Sequence, residues 1–212
     1  GLDQPDWGEI FLGDTLVSSR DFVVRPRYRS LAMVFQDLAL WPHMTVFRHV
    51  EFALDPACYR GAAKEKRCKE LLALVRLTKY DRRPGQLSGG EKQRLALARA
   101  LAAEPEYLLF DEPLSNLDLA SREQLLGEIS SILHADNITA LYVTHQPEEA
   151  IHIADDIALM ENGTIKSMCG VGDFALRQRD IWERNFQELQ LRLTQHDKKE
   201  EKIIPLHARA TG

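Results

Sequence analysis

Leu108-Leu109-Phe110-Asp111-Glu112-Pro113 sets three apolar residues directly against two adjacent carboxylates. With Tyr107 in front, the apolar part reads as a strand covered on both faces. The acids then fall at its C-terminal end, where ligands bind in open parallel α/β sheets. Carboxylates at such a position are costly to desolvate, so the pair calls for a role. An aspartate there can hold Mg²⁺, directly or through water, while the next residue can orient and deprotonate an attacking water. Strand-end acids that only cap the following helix would give the same local sequence.

Downstream, helical and strand patterns alternate: a helix from about Leu119 to His134, a strand from Ile138 to Thr144, a helix near Pro147 to Ala154, and a strand from Ile157 to Met160. That alternation predicts a parallel sheet. Thr144-His145 would then emerge on the same edge as Asp111. A lone histidine is usually structural, but a histidine donor at a strand end can stabilise charge on a transferring group. Asn162-Gly163 signals a tight hairpin, so the last strands, up to about Met168, are expected to be antiparallel. Beyond Gly172 the sequence suggests a basic and aromatic helix around Ile181, Trp182, Phe186 and Leu189, with a frayed tail from Gln195.

Upstream, Leu31-Ala32-Met33-Val34-Phe35 is a second buried-strand run and ends at Gln36-Asp37. Before it, Glu9 to Leu12, a Gly13-Asp14 turn and Thr15 to Val17 read as an antiparallel hairpin. From Thr45 to about Ala103 the period is helical, with Val46, Val50 and Ala53 on one face and Leu71, Leu74, Val75 and Leu77 on another. Within this lobe, Leu87-Ser88-Gly89-Gly90-Glu91-Lys92-Gln93-Arg94 places a serine and two glycines at a helix N-terminus. The unpaired backbone N–H groups of such an end can bind phosphate. A serine N-cap with glutamate at the third helical position explains the fragment equally well without any ligand.

Bulk properties narrow the classes. The 212 residues carry a 44% hydrophobic share and a net charge of −5, which suits a globular protein and gives no general attraction to nucleic acid or anionic lipid. Arg25, Arg27 and Arg29 cluster, but on an acidic chain they read as a solvated rim. Three cysteines without paired ligand spacing point to reduced thiols rather than a disulfide framework or a metal knot. No stretch approaches the roughly 20 apolar residues that span a bilayer.

Taken in order, Gln36, Leu87 to Glu91, Asp111-Glu112, Ser115-Asn116-Leu117-Asp118 and His145 resemble the Q-loop, signature, Walker B, D-loop and switch histidine of the nucleotide-binding subunits of ABC transporters. The resemblance covers about residues 1–168. It implies an α/β, P-loop-NTPase-like ABC ATPase core with a parallel sheet, an antiparallel β part and an inserted helical subdomain at about 38–104. The ATPase domain would occupy 1–172, and 173–212 would form a C-terminal helical extension and tail. It also implies MgATP as the bound species. Asp111 would hold Mg²⁺; Gln36 would contact Mg²⁺ or the attacking water; Glu112 would be the general base; His145 would clamp the γ-phosphate. Ser88, Gly89 and Gly90 would grip the γ-phosphate of ATP on the opposite subunit of a head-to-tail dimer, and Asp118 would connect the two sites. Glu91 stands where the family often has glutamine.

The partners implied are a second ABC ATPase subunit, identical or related, and transmembrane permease subunits, with no nucleic acid, at the cytoplasmic face of the cell membrane. Leu40 to Val46 resembles importers near the groove for the permease's coupling helix, although Trp41 and Met44 suit ordinary packing as well. The family's Gly-x-x-Gly-x-Gly-Lys-Ser/Thr loop would precede Gly1 and does not occur in these residues. The chain is therefore expected to be an N-terminally truncated ATPase, inactive alone and poorly soluble. The competing readings are a non-hydrolytic partner that lends only its signature to another subunit, and a soluble ABC machine.

Overall fold

The computed structural model describes residue 1 and residues 3–200. Two compact units divide the chain, residues 1–153 and 154–212. In the first, Gly13 adopts φ +55°, open to a residue without a Cβ, and turns β1 (Glu9–Leu12) back onto β2 (Thr15–Ser19). β3 (Phe22–Val23) completes this small antiparallel sheet. Arg29 departs from the solvated rim expected of the arginine cluster. It is 8% exposed, and its guanidinium donates to the carbonyls of Val24 (2.8 Å) and Val17 (3.0 Å). Those two carbonyls gain donors, which a buried polar group requires.

β4 (Leu31–Val34) then leads into three helices: α1 (Val46–Ala53), α2 (Gly61–Leu74) and α3 (Gly89–Leu101). The chain returns as β5 (Tyr107–Asp111), α4 (Leu119–Ala135), β6 (Thr139–Val143) and α5 (Pro147–Ile153). β5 runs between β4 and β6, parallel to both, with Val34, Phe110 and Tyr142 at one level. One continuous apolar core joins helices to sheet, from Val46, Val50 and Leu72 through Leu95 to Leu108, Phe110 and Ile129. The three helices therefore share their interior with the strands. β6 forms an open edge among the described residues, with Leu141 62% and Val143 49% exposed. Such an edge offers unpaired backbone groups and apolar surface to other chains.

Leu74, expected on the inner face of α2, is exposed, and Leu72 is fully buried in its place. The helix ends in a Schellman turn: Leu77 N–H donates to the Leu72 carbonyl at 2.8 Å, Arg76 N–H donates to Ala73, and Arg76 takes φ +54°. This turn tucks Leu77 under Leu72 and leaves Leu74 pointing outward.

In the second unit, β7 (Asp156–Glu161) pairs antiparallel with β8 (Thr164–Gly170) through Asn162-Gly163, both with positive φ. This is the antiparallel hairpin that Asn162-Gly163 signals; the alternating pattern alone would have placed Ile157–Met160 in the parallel sheet, but the two-residue loop pairs β7 with its immediate neighbour. α6 (Val171–Glu200) continues past Gln195, where fraying was expected, through residues that are good helix formers. The remainder of that tail, residues 201–212, lies outside the described residues.

His49 organises the entry to α1. It is fully buried; its Nε2 accepts from the Trp41 backbone N–H at 3.0 Å, so Nδ1 carries the proton and donates to the Thr45 carbonyl at 2.8 Å. Burial is the main reason its pKa lies below the ordinary histidine value; the Thr45 carbonyl opposes this, and Arg99 and His43 add to it. The folded protein thus takes up this proton less readily than the unfolded chain. The associated stability is complete above about pH 6.5 and declines as pH falls below that value. Between pH 7.5 and 5.5 the parent should lose more Tm than His49→Gln; an equal or larger loss in the variant would disprove the assignment.

Candidate functional site

The strand register brings the loops after β4, β5 and β6 to one edge. Asp111, half-buried, is the last residue of β5 and pairs with Val143. Glu112 follows in a left-handed conformation, φ +42°, which is uncommon for a residue with a side chain. Its N–H donates to the Val143 carbonyl at 3.0 Å, and its carbonyl accepts from Ser115 Oγ at 3.0 Å and Ser115 N–H at 3.3 Å. Held on both sides, Glu112 turns its carboxylate toward two distant residues. Gln36 Nε2 donates to Oε2 at 3.4 Å, and His145 Nδ1 lies 3.2 Å from the same oxygen. A carboxylate that is 29% exposed, flanked by an amide and an imidazole 62% exposed, is accessible to water and to substrate.

A second group lies at two helix N-termini. Ser88 caps α3: its hydroxyl accepts from Glu91 N–H at 3.3 Å, while the Glu91 carboxylate accepts from Ser88 N–H at 3.0 Å. The plain capping function is therefore present. Lys79, 2.5 Å from Glu91, is the main cause of a Glu91 pKa below the usual carboxylate range, helped by Ser88. Asp118 caps α4 by accepting from Ser121 N–H at 3.1 Å, and its bonds to Ser121 hold its pKa down. Both helix ends, with Gly89, Gly90, Asn116 and Leu117, line a cleft of about 330 Å³.

The two glycines differ. A Cβ on Gly89 would stand 3.3 Å from Leu117 Cδ2, so packing inside the chain accounts for that glycine. A Cβ on Gly90 would meet nothing within 4 Å, and its φ is not in the left-handed region. Glycine inside a helix costs roughly 0.5–1 kcal/mol relative to alanine. The fold gives no reason for that cost at Gly90, whereas a ligand approaching the backbone would.

Gln36, Glu112 and His145 thus converge, with Asp111 adjoining. Ser88, Gly89, Gly90 and Asp118 form a separate cleft. Sequence reasoning missed three supporting residues. Gln93 donates from α3 to the Pro113 carbonyl at 2.7 Å, fixing the loop after Glu112. Arg122 and Glu149 form an ion pair at 3.5 Å that contacts Gln146 and Thr144 on either side of His145. Nothing in a helical pattern marks which polar residue turns inward; an acid among Ala150, Ile151 and Ile153 was the only trace of Glu149.

A family model described as ABC transporter matches residues 1–115. The chain belongs to the ABC transporter family. Among curated relatives in the family, the trehalose/maltose import ATP-binding protein MalK of Thermococcus litoralis is 39% identical over 171 residues, covering 79% of this chain and 46% of MalK. The probable sulfate/thiosulfate import ATP-binding protein CysA of Chlorella vulgaris is 39% identical over 187 residues, covering 88% of this chain and 78% of CysA. The chain spans about half the length of MalK and of the similar sn-glycerol-3-phosphate import ATP-binding protein UgpC of Jannaschia sp., 41% identical over 169 residues, covering 79% of this chain and 47% of UgpC. A solved dimeric ATP-binding cassette, in a post-hydrolysis state with ADP and Pi, matches with a TM-score of 0.69 and 30% identity, covering 80% of this chain and 76% of that one. The α/β arrangement of parallel sheet, antiparallel strands and helices is the fold of ABC ATPase cassettes. Among the described residues, no helix is long and apolar enough to cross a membrane.

Gly90→Ala should leave Tm unchanged or slightly raised, whereas Gly89→Ala should lower it, because Leu117 is buried and must shift. Parallel thermal melts test this. A clear loss of Tm in Gly90→Ala would show that the fold itself needs that glycine.

Proposed function

We propose that the chain is the nucleotide-handling part of an ABC importer subunit, which couples MgATP binding and hydrolysis to solute import through membrane permease subunits. The convergence of Gln36 and His145 on the Glu112 carboxylate carries this reading. The importer names of the relatives support the direction of transport.

The residues present fit the group. The Asp111 carboxylate and the Gln36 amide oxygen are hard donors of the kind Mg²⁺ takes. Among the described residues no group of three or more His, Cys, Asp and Glu forms a protein cage. Mg²⁺ keeps waters and phosphate oxygens in its shell, so it asks few oxygens of the protein. The cleft at the N-termini of α3 and α4, open at Gly90, suits phosphate. Bound MgATP supplies a γ-phosphoryl group whose charge the metal partly neutralises.

In this reading Glu112 Oε2 accepts the proton of the attacking water, and the Gln36 amide and His145 ring, already beside that oxygen, orient it and donate to developing charge. Ser88, Gly89 and Gly90 serve an ATP held by the opposite subunit of a head-to-tail dimer, which explains why their cleft is separate from the Glu112 cluster. Asp118, at the mouth of the same cleft, links the two sites. The second subunit is a copy of this chain or a related ABC ATPase. The permease would meet the surface of Trp41 and Phe52, whose rings pack edge to face at 5.1 Å with Phe52 66% exposed. The subunit would then lie peripherally on the inner face of the cell membrane. Retention of both Asp111 and Glu112 argues against a partner that lends only its signature.

In the full-length protein, Glu112→Gln should retain ATP binding and lose hydrolysis by about 100-fold or more, and His145→Ala should likewise keep binding and lose hydrolysis. Near-parental hydrolysis in Glu112→Gln would falsify its assignment as base.

A further inference from the structure

Next to the loop that carries His145, the α5 carboxylate of Glu149 is 2% exposed. Its Oε2 accepts from Thr144 Oγ1 at 2.8 Å and Tyr142 Oη at 3.1 Å, and its Oε1 lies 3.5 Å from Arg122 Nε. That contact is an ion pair without a hydrogen bond, since neither Arg122 Nε nor Glu149 Oε1 has a hydrogen-bond partner among the described residues; the Arg122 guanidinium, on α4, makes two hydrogen bonds elsewhere. It donates to the Leu117 carbonyl at 3.0 Å and to Gln146 Oε1 at 2.7 Å. Gln146 N–H donates in turn to Thr144 Oγ1 at 3.0 Å. The residues on either side of His145 are therefore both bound to this pair, and so is the residue before Asp118. Leu117, whose carbonyl Arg122 holds, is also the side chain against which Gly89 packs.

We propose that Arg122 and Glu149 are positioning residues for hydrolysis: a buried ion pair that clamps the His145 loop to the Asp118 loop, so that the two loops take up one shared geometry. Stability alone does not account for the pair. A buried ion pair is often no more stabilising than well-packed apolar residues of the same volume, because both charges lose water. A guanidinium can do what an apolar side chain cannot, which is to place a charge beside a carboxylate while donating in fixed directions to a backbone carbonyl and a side-chain amide. The desolvated Tyr142 hydroxyl, its pKa pushed well up by burial and by Glu149, stays neutral and remains a donor to the carboxylate. His145, by contrast, is largely exposed, and among the described residues its polar partners are Glu112 and its neighbour Gln146. Its placement depends on what holds Thr144 and Gln146.

The inference rests on the hydrolytic role proposed for Glu112 and His145. It is tested by steady-state ATP hydrolysis and thermal melts on the full-length protein and four variants. Arg122→Lys keeps the charge and loses the fork; Glu149→Gln keeps the shape and loses the charge; Gln146→Leu removes one outer arm of the clamp with little risk to folding; Arg122→Met with Glu149→Leu replaces the pair by apolar packing. The first two should lower kcat at least tenfold with the ATP KM within about threefold of the parent, and Gln146→Leu should lower kcat several-fold with Tm unchanged. The double variant should regain parental Tm while kcat stays low. Parental kcat in Arg122→Lys, Glu149→Gln and Gln146→Leu overturns the clamp. So does a double variant whose kcat recovers along with its Tm, or a loss of kcat that only follows the folded fraction in every variant. A parent without ATPase activity, or one unaffected by Glu112→Gln, sinks the hydrolytic reading itself; an active parent whose clamp variants match it sinks only the clamp.

Discussion

The parallel pairing of β5 between β4 and β6 is the constraint on which the rest depends. Because Val34, Phe110 and Tyr142 share one level, the residues two steps on, Gln36, Glu112 and Thr144, leave the sheet together. Residues separated by 76 and 33 positions in the chain become neighbours through backbone hydrogen bonding alone. Side-chain chemistry then refines an arrangement that the register has already made. A slip of one residue in β5 would turn its alternating buried positions Leu108 and Phe110 outward and scatter the site at the same time. Core burial and site geometry are thus specified by the same pattern.

The loop after Glu112 shows how a strained position is retained. A left-handed glutamate costs energy, and such strain persists where the surroundings over-determine it. Here the Val143 carbonyl, Ser115 and the Gln93 bond to Pro113 all act within four residues of that backbone. The two consecutive left-handed residues Leu38 and Ala39 after Gln36 are held in a comparable way, because Arg99 of α3 donates to both their carbonyls while lying 5.1 Å from the Trp41 ring. The helix that presents Ser88 and Gly90 therefore also supports, through its far end and its middle, the loops that carry Gln36 and Glu112.

Much of this was legible from residue patterns. The strand ends at Asp111 and His145, the helix start at Ser88 and the Gly13 turn each have a local signal, namely an apolar run meeting charge or a glycine next to a polar residue. The features that escaped notice depend on the third dimension. Leu74 and Leu72 are equally apolar, and only the Schellman turn decides which faces inward. Arg29 resembles its neighbours Arg25 and Arg27, and only the folded chain brings the carbonyls of Val17 and Val24 to its guanidinium. For β7 the sequence carries two signals, alternation with helices and the Asn162-Gly163 turn, and the local one decides its partner. Arg122 and Glu149 were hidden because charged helical residues are assumed to face water.

The cap at Ser88 has a consequence for how the cleft meets an anion. Glutamate in place of an amide at position 91 puts a formal negative charge beside a helix end that would otherwise attract phosphate. Lys79 neutralises that charge at contact distance. Because the cancelling pair is at the surface, mobile ions weaken it. If this helix end receives phosphate as proposed, salt would alter the local charge it presents through a residue that need never touch the ligand, which an uncharged glutamine at position 91 would not do.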